Sequence, residues 1–233
     1  MNNLFGNLPT ITKNLLIINV LLFFATLTFE PLIGLLGVFY PDSPNFKIWQ
    51  IITYMFMHSD TNFGHIFFNM FALVMFGSVI ERVLGQKRFF NYYFICGLGA
   101  LVLQYGIQAF EVSQITGSIM PYHKFGEEFM RNLTSQEFDV IQSIYRTPLV
   151  GASGAIYGLL LAYGFLFPNA ELMLIFLPIP IKAKYFIPIL IVIEIFLGFS
   201  NSGSSIAHLA HVGGALFGFI LLKMWGIKRT NYY

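Results

Sequence analysis

The stretch Gly151-Ala152-Ser153-Gly154-Ala155-Ile156-Tyr157-Gly158 decides how this chain is read, because it puts a serine hydroxyl at the start of a long apolar run. Gly151 and Gly154 flank Ser153 and lower the steric wall around its Oγ. Tyr157 lies four residues on and shares the serine's helix face. Gly154 and Gly158 form a small-xxx-small strip, which allows a second helix to come close. A serine in an apolar helix commonly just bonds back to its own backbone. The setting of Ser153 argues for more than that.

A matching half lies near the C-terminus. His211, Gly214 and Gly218 fall at i, i+3 and i+7, again on one face, and Gly214 and Gly218 form a second strip. Two glycine strips beside two reactive side chains predict tight packing, with Ser153 and His211 within hydrogen-bond reach. An unassisted serine is a weak nucleophile, and an adjacent base is the usual remedy. The bland alternative is a pair of packing strips with structural histidines.

Composition sets the medium. The 233 residues are 56% hydrophobic, 18% aromatic and 10% charged, where a soluble domain averages about 25% charged residues. A mean hydropathy of +0.69 points to an all-α polytopic membrane protein. Six apolar segments are candidate spans of about 20 residues, at roughly 13–29, 63–83, 88–110, 150–168, 185–200 and 204–225. They form one membrane domain over 1–233. The first run follows Lys13 without a clear small-residue cleavage site and reads as a retained span. Between the first two spans, Trp49 to Met57 is too short and interrupted to cross a bilayer, and suits an interfacial or re-entrant segment. The most polar connection, the outer loop 111–148, predicts one or two surface helices.

Lys and Arg fix an orientation. With the N-terminus inside, Lys13, Arg82, Lys87, Arg88, Lys182, Lys184, Lys223, Lys228 and Arg229 lie at inner ends, and Lys47, Lys124, Arg131 and Arg146 lie outside. Nine against four predicts both termini in the cytoplasm. The net charge of +2 carries no basic patch away from segment ends, so nucleic acid is not an expected partner. Cys96 is the single cysteine, so no intrachain disulfide is possible.

Polar residues inside spans are costly and are functional candidates. His65 and Asn69 stack on one face of the second span. A donor pair aimed at a developing oxyanion would look like this, and the alternative is that both bond neighbouring helices. His208 and His211 are three apart, but zinc takes three or four ligands and neither a His-Glu-x-x-His motif nor a cysteine or acid cluster accompanies them. No metal and no cofactor is expected. Ala155 stands where a soluble hydrolase elbow needs its second glycine, and no strand precedes it. Glu194, in the fifth span, receives no role in the chemistry.

Taken together, these residues resemble the rhomboid family of intramembrane serine proteases. The carriers are Gly151-Ala152-Ser153-Gly154 with Tyr157 and Gly158, Ala210-His211-Val212-Gly213-Gly214 with Gly218, and His65-x-x-x-Asn69 followed by Gly77, Glu81, Arg82 and Gly85. The stretch from Trp49-Gln50 to Met57-His58 also looks like the family's first outer loop. The resemblance implies a six-transmembrane-helix bundle with a partly re-entrant first outer loop and a Ser153–His211 dyad without an aspartate. Tyr157 would pack on the His211 ring. His65, Asn69 and the Ser153 backbone N–H would form the oxyanion hole, and Gly151 would give the substrate room. Glu81–Arg82 would be structural. Substrates would be single-span membrane proteins, cut within the lipid bilayer at or near their membrane segment.

Two departures stand out: Gln50 occupies a position where many members carry arginine, and His208 precedes His211 by one turn. The Ala-His-x-Gly-Gly context selects His211, leaving His208 nearer the outer surface. At 1.5 Å per residue, Ser153 and His211 lie about 5 and 10 Å below the outer ends of their spans, reachable from a water-filled cavity. A proteolytically dead relative would lack the serine or the histidine, and a transporter would show charge pairs in its spans. A compact chain without a transit segment suggests a bacterial plasma membrane.

Overall fold

The computed structural model describes residues 8–174, 177–199 and 205–229. The chain opens with helix α1 (Thr10–Thr28). A short α2 (Leu32–Leu36), α3 (Gln50–Thr53) and a 3-10 turn (Tyr54–Phe56) fill the first connection. Next come α4 (Phe63–Ala72), a π-helical segment (Leu73–Gly77) and α5 (Ser78–Leu84), which form one continuous rod. Then follow α6 (Gln86–Thr116), α7 (Pro121–Phe125), a 3-10 turn (Gly126–Met130) and α8 (Ser135–Arg146). Helix α9 (Ser153–Leu166) leads into strands β1 (Glu171–Leu174) and β2 (Leu177–Lys182). Helices α10 (Ala183–Phe199) and α11 (Ser205–Met224) close the chain.

Three helical stretches among the described residues are long and apolar enough to cross a membrane: Thr10–Thr28, Phe63–Leu84 and the one that starts at Gln86. Positions 200 and 204, where the expected fifth span ends and the sixth begins, lie outside the described residues.

Three features differ from a plain six-helix reading. Helix α6, which covers the expected third span, runs on to Thr116, six residues past the expected end at 110, and Gly117 stops it in a left-handed conformation at φ 72°, which glycine adopts without steric cost. The second rod contains its π-helical segment, where Gly77 packs against Leu73, Leu159 and Phe89. The fold is also not purely α. β1 and β2 form an antiparallel ribbon that pairs Glu171 with Lys182 and Leu172 with Ile181. Pro178 and Pro180 explain it: each lacks the N–H a helix interior needs, and a two-stranded ribbon has free edges where proline is tolerated.

The bundle turns its apolar surface outward. Ile17, Ile18, Leu21, Phe24 and Leu27 of α1 are exposed, while Thr12, Asn19 and Thr26 on the same helix are buried. Asn19 Nδ2 donates to Leu15 O at 2.7 Å and Thr26 Oγ1 to Phe23 O at 2.6 Å, so these two donors are satisfied within their own helix. Helix α10 likewise exposes Ile189, Val192, Ile193 and Phe196. An apolar exterior with polar groups folded inward suits a bundle whose solvent is hydrocarbon.

Helices α6, α9 and α11 form the centre, and glycine sets their spacing. A Cβ at Gly214 would fall on the Gly154 backbone, one at Gly158 on Cys96, and one at Gly213 within 2.8 Å of Gly99 O. Tyr92 of α6 donates its hydroxyl to Gly158 O at 2.8 Å, a cross-helix bond for which the bare Gly218 leaves room, since a Cβ there would fall on the Tyr92 hydroxyl. The buried Glu81 carboxylate ties the second rod to the start of α1, accepting from Ile11 N (2.9 Å), Thr12 N (2.7 Å) and Thr12 Oγ1 (2.8 Å). It satisfies first-turn amides that have no helical acceptor and complements the helix dipole.

The segment from Ser118 to Thr147 packs a second small core of Tyr40, Val112, Ile141, Ile144 and Tyr145. Buried Asp42 pins it, accepting from Tyr122 N (2.7 Å), His123 N (3.1 Å), Tyr145 Oη (2.7 Å) and the His123 ring. Buried Gln50 holds the first connection: its Oε1 accepts from Lys47 N at 2.9 Å, and its Nε2 faces Gly34 O, Leu35 O and Asn45 O at 3.3–3.4 Å.

Substituting Glu81→Gln removes a charged acceptor shared by three donors. It is expected to destabilise the protein by about 2 kcal/mol, read as an earlier thermal transition in detergent. An unchanged transition would mean that these bonds are replaced by solvent.

Candidate active site

Ser153 is the first residue of α9, so its backbone N–H belongs to the helix's unsatisfied first turn. Gly151 supplies the approach. It sits at φ 132°, a region that side-chain-bearing residues rarely adopt. Its N–H donates to Tyr54 O at 3.0 Å. Val38 and Leu149 exchange backbone hydrogen bonds at 3.0 and 2.8 Å. The first connection is thus stitched to the residues just before α9, and this fixes where the serine emerges.

The glycine contact between α9 and α11 brings the two reactive side chains together. His211 Nε2 stands 2.9 Å from Ser153 Oγ. The Tyr157 ring lies flat on the His211 ring, with centroids 4.3 Å apart and planes 6° off parallel. A Cβ on Gly151 would come within 3.0 Å of His65 Nε2 and 3.5 Å of Ser153 Oγ, so His65 borders the same small space. Asn69 is buried on the His65 face of the second rod, and its Nδ2 donates to His65 O at 2.8 Å. One of its two amide hydrogens is therefore committed to its own helix.

Glu194 is the residue the sequence reading passed over. One of its oxygens accepts from the Tyr157 hydroxyl. The other lies 2.7 Å from His208 Nδ1 and 2.9 Å from His211 Nδ1. The Glu194 side chain is 8% exposed, against 24% for His208 and 16% for His211. His208 is thus turned to Glu194, while His211 alone of the pair faces the serine. The only sequence signal was a carboxylate in an apolar segment, and its partners lie 14, 17 and 37 residues away.

The ligand atoms of Glu194, His208 and His211 lie within 4.8 Å of one another, close enough to hold a metal ion. Hydrogen bonding accounts for the same atoms without one: both Nδ1 atoms point at a single carboxylate oxygen at hydrogen-bond length, each with a proton to give.

In an apolar helical bundle, a serine and a histidine meet beside two interlocked glycine strips, and comparison with known proteins gives the family. A model of the Rhomboid domain matches residues 45–227. The chain is 31% identical over 175 residues to RHOMBOID-like protein 12, mitochondrial, of Arabidopsis thaliana, covering 73% of this chain and 45% of that protein. It is 29% identical over 191 residues to Putative rhomboid protease YdcA of Bacillus subtilis, covering 81% and 73%. It is 26% identical over 185 residues to Rhomboid protease GluP of the same organism, covering 79% and 27%. The chain belongs to the rhomboid family and is an integral membrane protein. It spans under half the length of the Arabidopsis relative. Relatives named mitochondrial stand beside bacterial ones, so the reading of a bacterial plasma membrane is withdrawn.

Gly151→Ala would strain a positive-φ residue and push a methyl group against His65 and the serine. Reaction of Ser153 with a phosphonylating probe is expected to fall about tenfold or more, while the melting temperature moves by only a few degrees. Equal losses in both would mean that the glycine serves the fold alone.

Proposed function

We propose that this protein is an intramembrane serine endopeptidase that cleaves single-span membrane proteins in or near their membrane segment. The observation that carries the reading is the 2.9 Å contact of His211 Nε2 with Ser153 Oγ, with Tyr157 stacked on the imidazole. The names of two bacterial relatives, both called rhomboid proteases, support it.

The proposed chemistry runs through the residues that meet at this contact. Ser153 Oγ attacks the scissile carbonyl carbon as its proton passes to His211 Nε2. The Ser153 N–H, at a helix N-terminus, and the His65 ring lie beside the space the oxyanion would take; Asn69 contributes through its second amide hydrogen. His211 then returns the proton to the departing amine. Water repeats the sequence on the acyl-serine and releases the second product. Six spans, a first connection that dips partway into the bilayer and cytoplasmic termini belong to the same proposal. They would open the site toward the outer face, where hydrolytic water is available.

Fluorophosphonate labelling of the purified, detergent-solubilised protein tests the reading. Wild type is expected to label, and Ser153→Ala and His211→Ala each to lose labelling with the fold intact. A folded wild type that does not label, or labelling that survives Ser153→Ala, overturns the proposal. Labelling that survives His211→Ala but not His208→Ala would transfer the base to His208.

Prior incubation with a strong chelator is expected to leave the labelling rate unchanged. A rate restored only by added zinc would instead assign Glu194, His208 and His211 to a metal.

A further inference from the structure

We infer that Glu194 is a positioning residue for His211, making a three-membered relay, Ser153–His211–Glu194, where the sequence suggests two members. The inference rests on the Ser153–His211 reading above and deepens it.

Two hydrogen bonds run in line through one imidazole. On one side, Nε2 is 2.9 Å from Ser153 Oγ; on the other, Nδ1 is 2.9 Å from Glu194 Oε2. An ionised carboxylate only accepts, so the ring must carry its proton on Nδ1. The neutral ring then presents a bare Nε2 lone pair to the serine hydroxyl, the one tautomer able to take its proton. With Nδ1 unpartnered, the two tautomers would compete, and half of the orienting information would be lost.

The surroundings of the carboxylate agree with an ionised acceptor. Tyr157 donates to one oxygen, while His208 and His211 share the other. Each of these neighbours has a hydrogen to give, and charge-assisted bonds of this kind are the strong ones. The backbone is cut to suit. Gly198, one turn beyond Glu194 on α10, leaves room for Leu209 of α11, the residue next to His208. The close seat lets Glu194 reach the histidine face of α11. Tyr157 is tied twice, by its ring to His211 and by its hydroxyl to Glu194, so one phenol braces both partners.

During attack, the Ser153 proton moves to Nε2 and the Oγ–carbon bond forms. The ring becomes an imidazolium protonated on both nitrogens, and its charge faces the carboxylate. Glu194 stays ionised throughout, and the Nε2 proton leaves with the amine.

Glu194→Gln, Glu194→Ala and Glu194→Asp decide the matter, with labelling rate and melting measured in parallel. Glu194→Gln keeps the shape but offers an amide that favours the wrong tautomer. Its labelling rate is expected to fall on the order of 10²–10⁴-fold, as for a serine-protease aspartate changed to asparagine, and no less than that of Glu194→Ala. Glu194→Asp, which keeps the charge with a shorter reach, should recover part of the rate. A folded Glu194→Gln that labels within about threefold of wild type overturns the inference. If Glu194→Gln does not fold, a folded Glu194→Ala that labels within about threefold of wild type overturns it instead. Ser153→Ala runs beside them. If it labels, the function proposed above has failed; if it is silent while the Glu194 variants match wild type, only the relay has.

Discussion

Everything in this molecule that bears on chemistry depends on the backbone contact between Gly154 of α9 and Gly214 of α11. Hydrocarbon provides little hydrophobic drive for one apolar helix to seek another, so close packing and polar bonds must do it. The absence of two side chains lets the helices touch, and Gly158 and Gly213 extend the contact to Cys96 and Gly99 of α6. A serine at the start of one helix and a histidine on the glycine face of the other then meet at hydrogen-bond length, each on a rigid element. The site's precision thus comes from the same close packing that holds the centre of the bundle.

Around that contact, the polar groups of the interior divide into two kinds. The Asn19 amide and the Thr26 hydroxyl donate to carbonyls of their own helix. Glu81, Asp42 and Glu194 are carboxylates, each gathering three or more donors from elements distant in sequence. Glu81 anchors a helix start and Asp42 anchors a loop segment. Glu194 is the one whose donors include the ring that faces the serine. A buried carboxylate is expensive unless its acceptors are filled, and here filling them also orients an imidazole.

How much could be read from the chain alone follows from what each feature depends on. The serine and histidine stretches were legible because glycine spacing is a local pattern with one geometric meaning, and the apolar runs because hydropathy needs only a window. Glu194 was not legible in its role: its partners arrive from α9 and α11, and no spacing within α10 announces them. The β1–β2 ribbon was overlooked because Pro178 and Pro180 sit in an apolar stretch that composition alone files as a connection. The π-helical segment at Leu73–Gly77 ends in a glycine, but a single glycine in an apolar run does not announce a widened turn.

Gln50 carries a further consequence. It fastens the first connection entirely through neutral amide and carbonyl dipoles, reaching Lys47, Gly34, Leu35 and Asn45. A clasp without net charge has no counterion cloud to lose and no proton to exchange. Its grip is therefore indifferent to ionic strength and to the acidity of the surroundings. At Gln50, then, neither salt nor acidity loosens the hold, while the Asp42 carboxylate elsewhere in the same connection holds through charge.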